Sequence, residues 1–128
     1  GGGKDSIVTA ELLRPYRDKT MCYIINPRGA TLGCAKTADF EESSIVGVRR
    51  TIDKELLNRN ADGYLNGHTP FSAVVAFSSY LFAYLKGLKY IALSNESSAN
   101  ESNVQGTKIN HQYSKSTEFE RDFRNYVP

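Results

Sequence analysis

The sequence lacks most of the features that assign a protein quickly. Cysteine occurs only at Cys22 and Cys34, with no paired spacing, which argues against a zinc site or a disulfide framework. Both read as buried thiols of a reducing, cytoplasmic compartment. No run of Lys or Arg stands out and the net charge is only +2, so nothing points to nucleic acid. No apolar stretch reaches the about 20 residues that span a bilayer. The most apolar one, residues 71 to 85, is broken by Ser78 and Ser79. No internal repeat is visible. At 128 residues, with 40% hydrophobic and 23% charged residues, the chain is long enough for one globular domain with a real core.

What is present begins at the first residue. Gly1, Gly2 and Gly3 leave backbone amides uncovered, so an anion can approach closely. Ser6 is placed to cap a helix carrying Ile7, Val8, Ala10, Leu12 and Leu13, and phosphate is favoured at such a helix start. Lys4 adds a mobile cation, and Asp5 a carboxylate able to hold Mg²⁺. This is not a Walker A loop, in which Ser or Thr follows the Gly-Lys pair. It resembles the pyrophosphate loop of the ATP pyrophosphatases, Ser-Gly-Gly-x-Asp-Ser, with Gly1 in place of the leading serine.

Downstream, helical periodicity runs to about Tyr16, and residues 21 to 26 read as a continuous apolar strand of the kind buried in a parallel sheet. Residues 30 to 44 are polar and give no clear element. Residues 45 to 52 suggest a strand, followed by a short helix from Asp53 through Leu57. The clearest element is a helix with Thr69 as N-cap, Pro70 in its first turn and Gly87 as its stop. It is apolar nearly all round, which predicts deep packing. Residues 88 to 93 read as another buried strand, and Ser116 or Thr117 as the cap of a last helix carrying Phe119, Phe123 and Tyr126.

Alternating strands and helices predict an α/β fold: a single domain with a mostly parallel open sheet and flanking helices. A phosphate loop of this kind follows a strand, so the first strand is expected to be missing and the chain to be a piece of a larger protein. Ligands of such sheets bind beyond the carboxyl ends of the strands. The loop of residues 1 to 6 is therefore expected at the carboxyl edge of a sheet holding strands 21–26 and 88–93, with helix 70–86 packed on one face. The rule nominates that loop for the phosphates of ATP, and Asn26 and Pro27, whose backbone can read the adenine edge. It also nominates the polar run from Ser94 and Asn95 through Glu96 to Asn100 for a substrate. His68 stands at a further helix start. Asn110, His111, Gln112, Tyr113, Ser114, Lys115 and Ser116 are dense in groups that donate, accept or exchange protons, and His111, Tyr113 and Lys115 share a side if extended.

The segments Asn66-Gly67-His68-Thr69-Pro70, Tyr90 to Glu96 with Ser98-Ala99-Asn100, and Asn110 to Ser116 with Glu118-Phe119-Glu120 are similar to those of one family. It is the UDP-N-acetylmuramoyl-L-alanyl-L-glutamate epimerases, a branch of the pyrophosphate-loop superfamily; Arg50 and Asp53 also fit its pattern. The resemblance implies a cytoplasmic enzyme of peptidoglycan precursor synthesis. Such an enzyme inverts the terminal L-glutamate of the UDP-muramoyl dipeptide using ATP and Mg²⁺ and releases AMP and pyrophosphate, with no nucleic-acid or membrane partner. Family members extend beyond both ends of this sequence.

The residues suit that chemistry. The α-proton beside a free carboxylate is hard to remove because a second negative charge develops next to the first; adenylation removes that obstacle, and delivery of a proton from the opposite face inverts the centre. Gly2, Gly3 and Lys4 would hold the leaving pyrophosphate and Asp5 would place Mg²⁺. His111, Tyr113, Lys115 and Glu96 are the candidates for proton transfer. Lys115 suits the role if burial lowers its pKa, and otherwise binds the substrate's carboxylates or phosphates. Ser94, Asn95, Asn100, Asn110, Ser114, Ser116 and His68 are the candidates for substrate binding. Two other readings stay open: a different pyrophosphate-loop enzyme, such as a ligase or a tRNA-modifying sulfurtransferase, and a non-catalytic nucleotide-binding module.

Overall fold

The computed structural model describes residues 2–65 and 70–128, so Gly1, Asn66, Gly67, His68 and Thr69, with the expectations placed on them, lie outside the described residues. It divides into two compact units, residues 1–68 and 69–128.

The first unit opens with α1 (Lys4–Leu13), which tightens into a 3-10 helix, Arg14–Lys19. Pro15 explains the change, since it has no N–H to give and its ring crowds the carbonyl of Glu11. Strand β1 (Cys22–Ile25) then pairs in parallel with β2 (Ile45–Val48), with Cys22 opposite Ile45 and Ile25 opposite Val48. The crossover between them is α2 (Gly29–Thr37). After β2, Asp53 caps the short helix α3 (Lys54–Asn58) by accepting the Glu55 N–H at 2.8 Å.

The core of this unit is small: Ala35, Ala38 and Phe40 are buried, with Ala10, Leu13, Cys22 and Ile45 packed against them. Burial pushes the Cys22 thiol pKa up, in keeping with a structural rather than reactive cysteine. The alanines of α2 leave space for α1 and the strands to approach. Its C-terminus closes on two hydrogen bonds: Phe40 N–H donates to Ala35 O at 3.0 Å and Asp39 N–H to Lys36 O at 3.0 Å. This is the Schellman arrangement, and its left-handed position, normally glycine, is Asp39 (φ 57°). Asp39 pairs with Arg14 at the end of α1, tying the two helices together at the surface.

The second unit is built on α4 (Phe71–Lys86) and α5 (Thr117–Tyr126). Gly87 (φ 66°) ends α4, and Leu88 N–H returns to Ala83 O at 2.8 Å. Ser116 caps α5 by accepting the Phe119 N–H at 3.1 Å. The helices meet through aromatic edges, with Phe77 5.0 Å from Phe123 and 5.9 Å from Tyr126.

Several expectations are corrected. The sheet has two strands among the described residues, and residues 88–93 form no strand, because an apolar run becomes a strand only where a neighbouring strand offers backbone partners. Residues 30–44, which carried no clear signal, hold most of α2. Ser6 is not the cap of α1, which begins at Lys4 with Gly3 as its N-cap. Helix α4 is not deeply packed: its buried residues are Ser79 and Ala83, whereas Leu81, Tyr84 and Leu85 are exposed.

The αL position of Asp39 gives a stability test. An exposed ion pair contributes little, so backbone strain decides the sign. Asp39→Gly should leave stability nearly unchanged, whereas Asp39→Ala should cost about 1 kcal/mol relative to it, read from urea unfolding curves.

Candidate functional site

Helix α1 starts at a glycine that has no side chain with which to cap it; Gly3 is extended (φ −104°, ψ −175°). The first turn, Lys4, Asp5 and Ser6, therefore meets the loop with its positive end and no competing side-chain acceptor from the N-cap. Lys4 is exposed, and Asp5 and Ser6 are half-buried.

Gly2 fixes where this helix start lies. A Cβ built there would come within 2.9 Å of the Ala30 Cβ and 3.1 Å of the Thr31 N. The loop thus rests on the first turn of α2, and only glycine permits that approach. The start of α2 is locked by Thr31, whose hydroxyl accepts the Arg28 N–H at 2.9 Å and donates to Arg28 O at 2.8 Å. Because α2 follows β1 directly, the starts of α1 and α2 sit side by side at the carboxyl edge of the parallel pair. A Cβ at Gly3 or Gly29 would project into open space. The donor set is thus two helix starts, an exposed lysine, a carboxylate and a serine, and its chemistry fits the phosphates of a nucleotide with Mg²⁺. Among the described residues no group of three or more His, Cys, Asp or Glu is gathered at a metal-binding spacing. A magnesium ion held largely by phosphates and water needs only one or two carboxylates.

Just beyond β1 the chain turns at Asn26, a non-glycine residue in the left-handed region (φ 49°). Its N–H donates to Val48 O at 2.7 Å. Its side-chain amide donates to Arg50 O at 2.8 Å and accepts the Arg50 N–H at 2.7 Å. Pro27 has no N–H, and the Arg28 N–H is bonded to Thr31. Backbone N–H groups at 26–28 are thus committed or lacking, and what Asn26 and Pro27 offer a base edge is their carbonyls. Sequence reasoning missed this pairing and, with it, Asn26's hold on Arg50; the signal was an asparagine directly before proline at a strand end.

The remaining candidates belong to the second unit. Ser94, Asn95 and Glu96 lie in an exposed stretch without regular structure, and Ser98 Oγ donates to Glu96 Oε2 at 3.5 Å, the outer limit of a hydrogen bond. Asn100 closes a 3-10 turn (Ser97–Asn100) and its Oδ1 accepts both the N–H of Thr117 at 2.8 Å and its hydroxyl at 2.9 Å. Asn110 donates to Ala99 O at 2.6 Å and accepts the Gln112 N–H at 2.8 Å. The His111 N–H donates to Asn103 Oδ1 at 2.6 Å. Ser116 donates to Tyr113 O at 2.7 Å while capping α5. The side chains of Asn100, Asn110 and Ser116 therefore hold the loop to its own helices.

The structure also changes the reading of the three proton-transfer candidates. Residues 113–115 form a 3-10 turn, so His111, Tyr113 and Lys115 are not an extended alternating row. The Tyr113 hydroxyl donates to Asp122 Oδ2 at 2.7 Å, and that bond raises its pKa, which disfavours Tyr113 as a base. Lys115 is exposed, so the burial on which its role as a base depended is absent, and Ser114 is half-buried.

Comparison with known proteins agrees with the motif-based resemblance. The model of the MurL N-terminal domain family matches residues 1–128. A UDP-N-acetyl-alpha-D-muramoyl-L-alanyl-L-glutamate epimerase of Salinispora tropica is 37% identical over 122 residues, 94% of this chain and 26% of the relative. A protein of the same name from Xanthomonas oryzae pv. oryzae is 37% identical over 130 residues, 99% of this chain and 28% of the relative. The chain thus spans about a quarter of the length of the curated relatives it matches. No solved structure matches it.

The geometry sets two tests. Gly2→Ala should cost about 1–3 kcal/mol by forcing the starts of α1 and α2 apart. Gly3→Ala, into open space, should lose only the about 0.5–1 kcal/mol of a weaker cap, both read by chemical denaturation. In the second unit, Asn100→Ala should lower stability by about 1–3 kcal/mol because Thr117 loses its acceptor. Lys115→Ala should change stability by less than about 0.5 kcal/mol in the same assay.

Proposed function

The chain belongs to the MurL N-terminal domain family, and from that membership we propose that it is the nucleotide-binding part of an ATP-dependent epimerase. Its substrate is UDP-N-acetylmuramoyl-L-alanyl-L-glutamate, whose terminal glutamate it inverts, an activity that belongs to peptidoglycan precursor synthesis. The observation that carries the nucleotide half is Gly2 lying against the first turn of α2, which sets two helix starts side by side beyond the ends of parallel strands. The glutamate half is supported by the names of the relatives and by the motif segments of the second unit.

ATP would supply carboxylate activation, with AMP and pyrophosphate as products. This chain's residues have distinct tasks in that scheme. The amides of Gly3 and the first turn of α1 would hold the phosphates, Lys4 would balance their charge, and Asp5 would help hold Mg²⁺. Asn26 and Pro27 offer carbonyl oxygens to the adenine amine. In the second unit His111 and Glu96 are the remaining candidates for moving the α-proton, and Lys115, exposed and cationic, suits a carboxylate or phosphate of the substrate. Ser94, Asn95 and Ser114 are candidates for contacting the dipeptide.

The intact enzyme tests this directly. With ATP and the UDP-muramoyl dipeptide it should form AMP and pyrophosphate and exchange the glutamate α-proton with deuterated solvent. Lys4→Ala should abolish or strongly reduce AMP formation while leaving the thermal midpoint nearly unchanged. Lys115→Ala should raise the KM for the dipeptide while AMP formation at saturating substrate persists. Formation of ADP, or AMP turnover unchanged in Lys4→Ala, would overturn the assignment.

A further inference from the structure

Two non-glycine residues of the first unit, Asn26 and Asp39, hold a left-handed backbone. Asp39 closes a helix end, where that conformation is routine. Asn26 stands at a strand end, and such positions persist when surrounding bonds over-determine them, often at functional sites. Here the bonds are identified. As the backbone of β1 turns away toward Pro27, the Asn26 amide takes the place of the next strand residue and exchanges two hydrogen bonds, 2.7 and 2.8 Å, with the N–H and C=O of Arg50. Residue 50 is thereby held in strand-like register two positions past the end of β2, although the ladder has ended. A hydrophobic strand end has no need of such an anchor. A long cationic side chain that must leave the edge in one direction does.

The geometry points to Arg50 as an anion-binding residue at the carboxyl edge of the parallel pair, with Asn26 as the residue that positions it, the ligand being the diphosphate of a nucleotide. This rests on the nucleotide reading above and adds a second binding group to it. From Asn26 the chain runs through Pro27 and Arg28 into the first turn of α2, on which Gly2 lies, so Arg50 and the phosphate loop flank the same strand ends. Pro27 itself packs over Gly47, where a Cβ would come within 3.0 Å of the proline ring, so β2 is also fitted to this turn. The segments at this edge carry Lys4, Arg28, Arg49 and Arg50 against Asp5 and Asp53, an excess of positive charge suited to a polyanion. Arg50 is half-buried, and a guanidinium can bind two phosphate oxygens in a forked geometry that lysine cannot copy. Two diphosphates meet that description, that of ATP and that of a UDP-linked substrate.

The test uses the intact protein and three probes by calorimetry: α,β-methylene-ATP, UDP and inorganic pyrophosphate. Arg50→Gln keeps the backbone bonds to Asn26 and should weaken binding of the nucleotide that Arg50 contacts by about tenfold or more. Loss confined to α,β-methylene-ATP assigns Arg50 to ATP, and loss confined to UDP assigns it to the substrate. Asn26→Gly accepts the left-handed backbone without strain and should weaken the same probe about threefold to tenfold, but add little in the Arg50→Gln background, since coupled residues are not additive. Arg50→Lys should recover part of the affinity. Circular dichroism establishes that each variant is folded. Unchanged affinity for all three probes in folded Arg50→Gln overturns the assignment while leaving the nucleotide reading standing. Full additivity of the two substitutions overturns the positioning role of Asn26. A wild-type protein that binds none of the probes overturns the nucleotide reading and this one with it.

Discussion

Four residues of parallel pairing between β1 and β2 determine where the candidate chemistry of the first unit stands. Parallel strands need a crossover, and here it is α2; the pairing therefore places the start of α2 at the same edge as the two strand ends. The loop of α1 reaches that edge because Gly2 has no side chain. A two-stranded sheet of this length is marginal alone and depends on cover from helices. That cover is thin-walled: Ala35 on α2, Ala38 at its C-terminal cap, and Ala10 and Leu13 on α1, with Phe40 as the one large residue buried in the cluster among the described residues. Small side chains keep the helices close to the strands and so keep their starts close to each other.

The second unit solves a different problem. Its long polar segment cannot bury itself by hydrophobicity, so it is held by side chains bonded to backbone groups. Asn100, Asn103, Asn110 and Ser116 each take up an N–H, and Asn110 also donates to the carbonyl of buried Ala99. The side chains of Asn100, Asn110 and Ser116 thus serve to fold the loop, while Lys115 is exposed. Tyr113 belongs with the first set, since its hydroxyl is committed to Asp122.

Much of the fold was legible where a local chemical rule governs. Gly87 stops α4 as expected, Ser116 is the one of two candidates that caps α5, and Asp53, expected as the first residue of α3, stands just before it as its cap. The strand at 22–25 followed from its apolar run. Helix α2 was not legible, because Gly29, Ala30, Gly33 and Ala35 carry no apolar period; it is a helix by its place between paired strands rather than by propensity. Residues 88–93 were misread for the complementary reason: their apolar run was real, but strand identity resides in the partner. In the site, side-chain type identified the polar residues of 94–116 without separating those that build the loop from those it presents. That separation depends on which N–H lies opposite which oxygen, and no spacing in the sequence encodes it.

The same distinction bears on how the proposed reaction divides. Activation requires cations and amides around a polyphosphate, and the first unit concentrates these at one strand edge. Inversion requires a group that takes a proton from a weakly acidic carbon, for which burial or a tightly held partner is the usual means of tuning. Lys115 is exposed on a 3-10 turn. An exposed ammonium has its best use in binding an anion, and the terminal glutamate and the diphosphate of the proposed substrate both supply one. On this argument Lys4 and Arg50 in one unit and Lys115 in the other are proposed as ligands of negative charge, which would leave proton transfer in the proposed reaction to a different kind of side chain.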